Sequence, residues 1–412
     1  MKKGFKVCLV ISIIMSLLLS CSLVYAESDE ISLGKAKQIS AAFINSDMKV
    51  NTNGWRSDIK FKDIITMYNL DGLPSAYLVE LIDKEGNDSG YVVVSANKNN
   101  VPIIEFSYDS KPFIEDAITA AKTKTKDKYN NVKDDYKIYY LGGLDYFVEI
   151  STGEQTSAFY DTSNGMVTEL DKKDLKKAEK NTIDQVDTKL EWESLLRASK
   201  NAPEPGDSTP PTSGGPITSP DLYESAYSSS TSGNVTSYNL TYKTTTDFSG
   251  YSGHCAPTAG VNIAMYWNNR GYALYDNNNW NTAFSNMHSY MGTTSTGSVI
   301  NQIGYGVWKY FKVDKGVNAA YYDDNSVTNA DIKSSITTYN RPFLLYMASQ
   351  YYYCPQSAHE VLALGWKEYS YDSSGYNSMY IRIADGWTNY ASRFIHKEIG
   401  TGLILMHNVY PQ

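Results

Sequence analysis

Tyr251-Ser-Gly-His-Cys-Ala-Pro-Thr-Ala-Gly260 changes character halfway: a glycine-bearing loop ends at His254, and an apolar stretch with helical character begins that runs to Asn269. Pro257 falls in the first turn and Gly271 just past the end, the places where a helix tolerates each. At the junction stands Cys255. A thiol there feels the positive end of the helix dipole and nearby unpaired backbone amides, and both favour the thiolate, which is the nucleophilic form. The same amides can donate to an oxyanion. This one turn is therefore expected to supply a nucleophile and, through the Cys255 amide, part of an oxyanion hole.

Downstream, helices are expected at residues 298–312 and 330–339, and after them strands dominate, at 343–347, 359–364, 380–384 and 402–406. Helices first and strands afterwards indicate an α+β domain. A thiolate needs a partner that takes the proton and returns it, and imidazole has the pKa for both tasks. His359 opens an apolar strand, and Asp385 closes another. If those strands are neighbours, the Asp385 carboxylate is placed to accept from the imidazole, fix its tautomer and stabilise the imidazolium. His254 and His288 are expected on loops or helix surfaces, His396 and His407 at surface strand positions, and the many tyrosines in loops and at the surface.

Upstream, the clearest break is Ala202-Pro-Glu-Pro-Gly-Asp-Ser-Thr-Pro-Pro-Thr-Ser-Gly-Gly-Pro-Ile-Thr-Ser-Pro220, which cannot bury apolar surface and is expected to be an exposed linker. The two sides differ. Residues 27–201 carry 30 acidic and 23 basic side chains, residues 221–412 only 13 and 11. The first half contains a helical pattern at 31–45 and strand patterns at 76–82, 90–95, 137–141, 146–150, 157–160 and 166–170, but neither His nor Cys. Binding or folding, rather than chemistry, is its expected work.

Residues 1–26 follow the plan of an export signal: Lys2, Lys3 and Lys6, an apolar run from Val7 to Leu19, then Val24-Tyr25-Ala26 before an acidic stretch. The rival is a lipoprotein signal with attachment at Cys21, after Leu18-Leu19-Ser20. The apolar run is short for a membrane span. Removal of the leader leaves Cys255 and Cys354 of the four cysteines. Across all 412 residues the net charge is -8, without Lys/Arg blocks, so no electrostatic case exists for nucleic acid or anionic lipid as partner.

The order of Cys at a helix start, His at a strand start and Asp two residues before Trp387 resembles the papain-like cysteine peptidases. Gly253-His-Cys-Ala-Pro-Thr-Ala259 and Ala358-His-Glu-Val-Leu-Ala-Leu-Gly-Trp366 are most similar to secreted bacterial members of the streptopain and bacteriocin-leader-peptidase type. Gly90-Tyr-Val-Val-Val-Ser-Ala96 and Pro102-Ile-Ile-Glu-Phe-Ser107 resemble the propeptides of streptopain-like zymogens. The resemblance implies a leader (1–26), an inhibitory propeptide (27–201), a linker (202–220) and a papain-like catalytic domain (221–412). Cys255, His359 and Asp385 would form the triad, with Trp387 shielding the His–Asp hydrogen bond. It also implies a protein or peptide substrate, the chain's own propeptide as intramolecular inhibitor, and no cofactor.

One departure is plain. Papain-like enzymes carry a Gln about six residues before the nucleophile, whereas position 249 is Ser and no Gln lies between Asp221 and Cys255. Ser249, Ser252, Gln350 and Gln356 are the candidate replacements. Two other functions fit the same residues: an amidase acting on cell-wall peptides through the same triad, and a catalytically inactive papain-like surface or binding protein.

Overall fold

The computed structural model describes residues 29–110, 114–153, 157–162, 168–171, 179–180, 188–200, 202, 224–251, 253–275, 279–348, 351–352, 358–371, 375–399 and 404–412. The expected leader, nearly all of the linker, Ser252, Gln350, Cys354 and Gln356 lie outside the described residues.

Before the linker, a helix at Leu33–Val50 precedes β1 (Lys60–Tyr68), β2 (Pro74–Ile82), β3 (Asp88–Ser95) and β4 (Ile103–Ser107). A second helix, Ile114–Lys128, leads to β5 (Tyr136–Tyr140), β6 (Tyr146–Ser151), β7 (Ser157–Asp161), β8 (Thr168–Leu170) and β9 (Glu179–Lys180), and a third follows at Lys189–Ala198. After the linker come β10 (Ser229–Asn234), helices at Cys255–Asn269, Trp280–Tyr290 and Ile303–Lys309, and β11 (Ala319–Asp324). The short helix Asn329–Lys333 then precedes β12 (Phe343–Ala348), β13 (Tyr351–Tyr352), β14 (Ala358–Ser370), β15 (Asn377–Ala384), β16 (Arg393–His396) and β17 (Ile404–Pro411).

The chain is thus a mixed α+β fold. Its main sheet has the order β11-β17-β12-β14-β15-β16-β4-β3-β2-β1-β5-β6-β7-β8, with β10 also paired to β14, while β13 and β9 pair separately. Pairing is antiparallel except between β1 and β5. One sheet therefore crosses from the first half to the second, through β4 and β16. β14 organises the second half: Val361 to Leu364 are fully buried and β12, β15 and β10 all pair with it. A strand buried on both faces reads as a continuous apolar run, as Val361-Leu-Ala-Leu364 does.

Two helices differ from their expected form. The 298–312 pattern is divided into a 3-10 turn, the helix Ile303–Lys309 and a wide π turn at Tyr310–Asp314, and the 330–339 pattern likewise ends in a π turn. Several elements gave no clear pattern, among them β1, β10, β11, β16 and the helices Ile114–Lys128, Lys189–Ala198 and Trp280–Tyr290. Helix Ile114–Lys128 buries only Ile114, Ile118, Ala121 and Thr125, a stripe too narrow to stand out among its charges. The tyrosines are a correction: Tyr91, Tyr139, Tyr146, Tyr160, Tyr242, Tyr266, Tyr310, Tyr369 and Tyr380 are fully buried rather than superficial. Several keep a hydrogen-bond partner for the hydroxyl, such as Asp47 for Tyr369 and the Leu274 carbonyl for Tyr310, which makes burial tolerable.

Candidate functional site

Cys255 is the first residue of its helix, as the loop-to-helix junction led us to expect. Gly253 enters that turn at φ 63, and a Cβ there would meet the Thr294 carbonyl oxygen at 2.4 Å and the Gly297 nitrogen at 2.6 Å, so only glycine fits. His254 follows. It is a correction to the surface expectation: it is wholly buried, and its Nε2 donates to the Thr245 carbonyl at 2.9 Å. The Thr245 amide in turn donates to the Gly386 carbonyl at 2.8 Å, so backbone bonds tie the Cys255 turn to the Asp385 loop.

The Cys255 thiol is free, and the amides of Glu360, Ala256 and Cys255 itself favour its ionised form. Although Cys255 is only half-buried by exposure, desolvation at its sulfur outweighs them. The thiol is pushed up to about 11, first by desolvation and then by the nearby Glu360 carboxyl. This departs from the thiolate expected from the helix dipole, because the dipole and the amides lose to the removal of water.

His359 stands at the start of β14, buried to 2%, and its neighbour Glu360 presents its amide to the Cys255 sulfur. The sulfur thus faces the peptide unit that follows His359. His359 Nε2 lies 2.8 Å from the Asp385 carbonyl oxygen. A carbonyl only accepts, so Nε2 carries the proton and Nδ1 keeps a lone pair, which has no hydrogen-bond partner. Trp387 stacks on the ring, with centroids 4.6 Å apart and planes inclined by 20°. Desolvation lowers the imidazole to about 4, against the attraction of Asp385.

The Asp385 carboxylate does not touch the ring. Its Oδ1 accepts from the amides of Trp387 and Thr388, both at 2.9 Å, and from the Thr388 hydroxyl at 3.1 Å, while Oδ2 meets Arg393 Nη1 at 3.3 Å. Gly386, at φ 76, makes the turn that brings those two amides back onto Oδ1. The expected carboxylate–imidazole bond is replaced by a carbonyl–imidazole bond, because the carboxylate is committed to closing its own turn and to holding Arg393.

Ser249 is exposed, just beyond the short helical turn Thr245–Phe248. Sequence reasoning missed three residues that shape this site. Arg393 is buried between Asp385 and Glu105, the latter from β4 of the first half. Glu360 is 2% exposed, and neither carboxyl oxygen has a hydrogen bond; desolvation raises it to about 8. His407, on β17, is also buried instead of superficial, with Nδ1 2.8 Å from Asp323 Oδ1 and Nε2 3.9 Å from Glu360 Oε2. His396 is buried too, against Glu191 at 3.2 Å, and His288 is half-buried on its helix. A charged residue inside an otherwise apolar strand, as in Ala358-His-Glu-Val361, was the available signal for Glu360.

Among the described residues, no group of three or more His, Cys, Asp and Glu side chains is placed to hold a metal ion, and no helix is long and apolar enough to cross a membrane. Compared with known families and with curated proteins, the chain matches none of them.

Proposed function

We propose that this chain is an exported cysteine peptidase precursor with a papain-like catalytic half, in which Cys255 attacks the scissile carbonyl and His359 is the proton carrier. One observation carries the reading: the thiol of a helix-start cysteine faces three amides, one of them the amide that joins the strand-start His359 to Glu360. As Sγ attacks, its proton passes to the lone pair of His359 Nδ1; the Asp385 carbonyl holds Nε2–H and keeps that lone pair available. The Nδ1–H formed then protonates the leaving amine, and water hydrolyses the thioester by the reverse sequence. Trp387 keeps water from the His359–Asp385 bond.

In the resting chain the thiol near 11 and the imidazole near 4 are both neutral at pH 7. Moving the proton between them unaided spans about seven pH units, on the order of 10 kcal/mol at 1.36 kcal/mol per unit. The nucleophile is therefore made during attack rather than stored as an ion pair. The same gap is what favours the second reading, a papain-like binding protein without turnover.

The test is labelling of the purified chain with an epoxide thiol trap, beside digestion of an unfolded protein and of purified peptidoglycan. Label on Cys255 that disappears in Cys255→Ala, with protein cleavage, is the expected result. Peptidoglycan cleavage alone would reassign the substrate, and an unreactive Cys255 with neither digestion would leave the binding reading.

A further inference from the structure

The seam between the two halves has the character of a core. β4 and β16 pair across it, matching Phe394 with Phe106, whose rings stack at 5.0 Å and 6°. Phe43 from the first helix packs edge-on against Tyr369 at 5.7 Å and Tyr227 at 6.0 Å. The charges buried along the seam are sorted by half: Asp47 with Lys367 at 3.4 Å, Glu105 with Arg393, and Glu191 with His396 at 3.2 Å. In each pair the first half gives the acid and the second half the base; four of the six side chains are exposed by 2% or less, and Arg393 and Lys367 by 4%.

Arg393 links this seam to the site. Its Nε donates to Glu105 Oε2 at 3.0 Å and its Nη1 to Asp385 Oδ2 at 3.3 Å. Its guanidinium lies 5.7 Å from the ring of Tyr146, in the first half, and 4.9 Å from that of Trp387, which stacks on His359. By contrast, the contacts of Cys255 and His359 among the described residues all come from the second half. The first half braces the site from behind.

We infer that the first half is a lasting structural partner of the second: when the chain is cut between residues 203 and 223 the halves stay together, and Glu105, through Arg393, holds Asp385 and Trp387 in position around His359. This departs from the removable cover that the propeptide resemblance implies. The positioning role rests on the peptidase reading, whereas the association of the halves does not. A lid over a cleft buries rim polar groups, but here separation would split a sheet, open an aromatic core and strand two buried ion pairs and the Glu191–His396 contact.

The experiment inserts a site-specific protease sequence between Asp207 and Ser219 of the full chain, cuts it, and follows the product by size-exclusion chromatography and native mass spectrometry at micromolar concentration. Expected is one complex of both fragments, in 0.15 M and in 1 M salt, separating only in denaturant. Two separate soluble fragments in native buffer would overturn the inference. In the cut protein, Asp47→Asn and Glu105→Gln should each weaken association at least tenfold. Only Glu105→Gln should also shift the pH profile of Cys255 alkylation. If both variants shift it alike, or neither does, the link from Glu105 to the site is refuted while association is judged by the chromatography. Inactivity of the uncut and cut wild type toward peptides would refute the peptidase reading alone.

Discussion

His359 on β14 and His407 on β17 are separated by a single strand, β12, and both rings are 2% exposed or less, yet their protonation is driven in opposite directions. His359 faces a carbonyl and the flat face of Trp387, which offer little to a positive ring, so desolvation prevails and lowers it to about 4. His407 faces Asp323 and the Glu360 carboxyl, and those neighbours raise it in spite of burial. Burial sets the scale of the effect, and the partners set its sign. The first environment makes a neutral base with a free lone pair; the second makes a structural ion pair.

The largest expected effect tests the division of labour. His359→Ala should lower kcat/KM by 10³-fold or more, as removal of a catalytic base does. His407→Ala should stay within about tenfold of the parent while losing roughly 2–4 kcal/mol in denaturant unfolding, since it leaves Asp323 and Glu360 without their partner. Equal loss of activity in the two variants would break the comparison.

The next effect is the alkaline limb of stability. Glu360 has a folded value near 8 against about 4.5 unfolded, so between these pH values the folded chain holds a proton that the unfolded chain has lost. Its contribution is full below about 4.5 and falls away as pH rises to 8, by up to about 5 kcal/mol. His407, also raised, adds a loss of the same sign above its unfolded value. Glu360→Gln should therefore gain stability over the parent from pH 5 to pH 8, in paired urea titrations. A constant difference across that range would show that Glu360 is ionised in the folded chain.

His359 acts at the other end. Lowered to about 4 from 6.5, it takes up a proton only on unfolding between those values, so stability falls as pH drops through that window, by about 3 kcal/mol. His359→Gln should flatten the acid limb by that amount and leave the alkaline limb unchanged. The smallest effect belongs to Ser249→Ala, expected to change kcat/KM less than about twofold because Ser249 is exposed. A loss of 10²-fold would instead restore Ser249 as the oxyanion donor.

Much of this architecture is legible in the chain. The helix start at Cys255, the apolar run of β14 and the strands β2, β3 and β5 to β7 follow from punctuation and periodicity, which act over a few residues. β16 escaped because four residues, Arg393-Phe-Ile-His396, carry too little pattern, although they join the two halves. Histidine burial escaped for another reason: His254 is stabilised by a carbonyl nine residues away, His396 by an acid 205 residues away. No local pattern reports such partners.

Local backbone chemistry is enough to say where the reactive groups stand: a thiol at a helix start, an imidazole at a strand start and an aspartate before a glycine turn. Their charge states and partners come from contacts between distant parts of the chain. Packing withdrew water from Cys255 and His359 and left both neutral, gave the imidazole a carbonyl in place of the carboxylate, and set Arg393 against Glu105, 288 residues distant in the chain. Charge states depend on every surface that closes around a group, and those surfaces come from all parts of the chain at once.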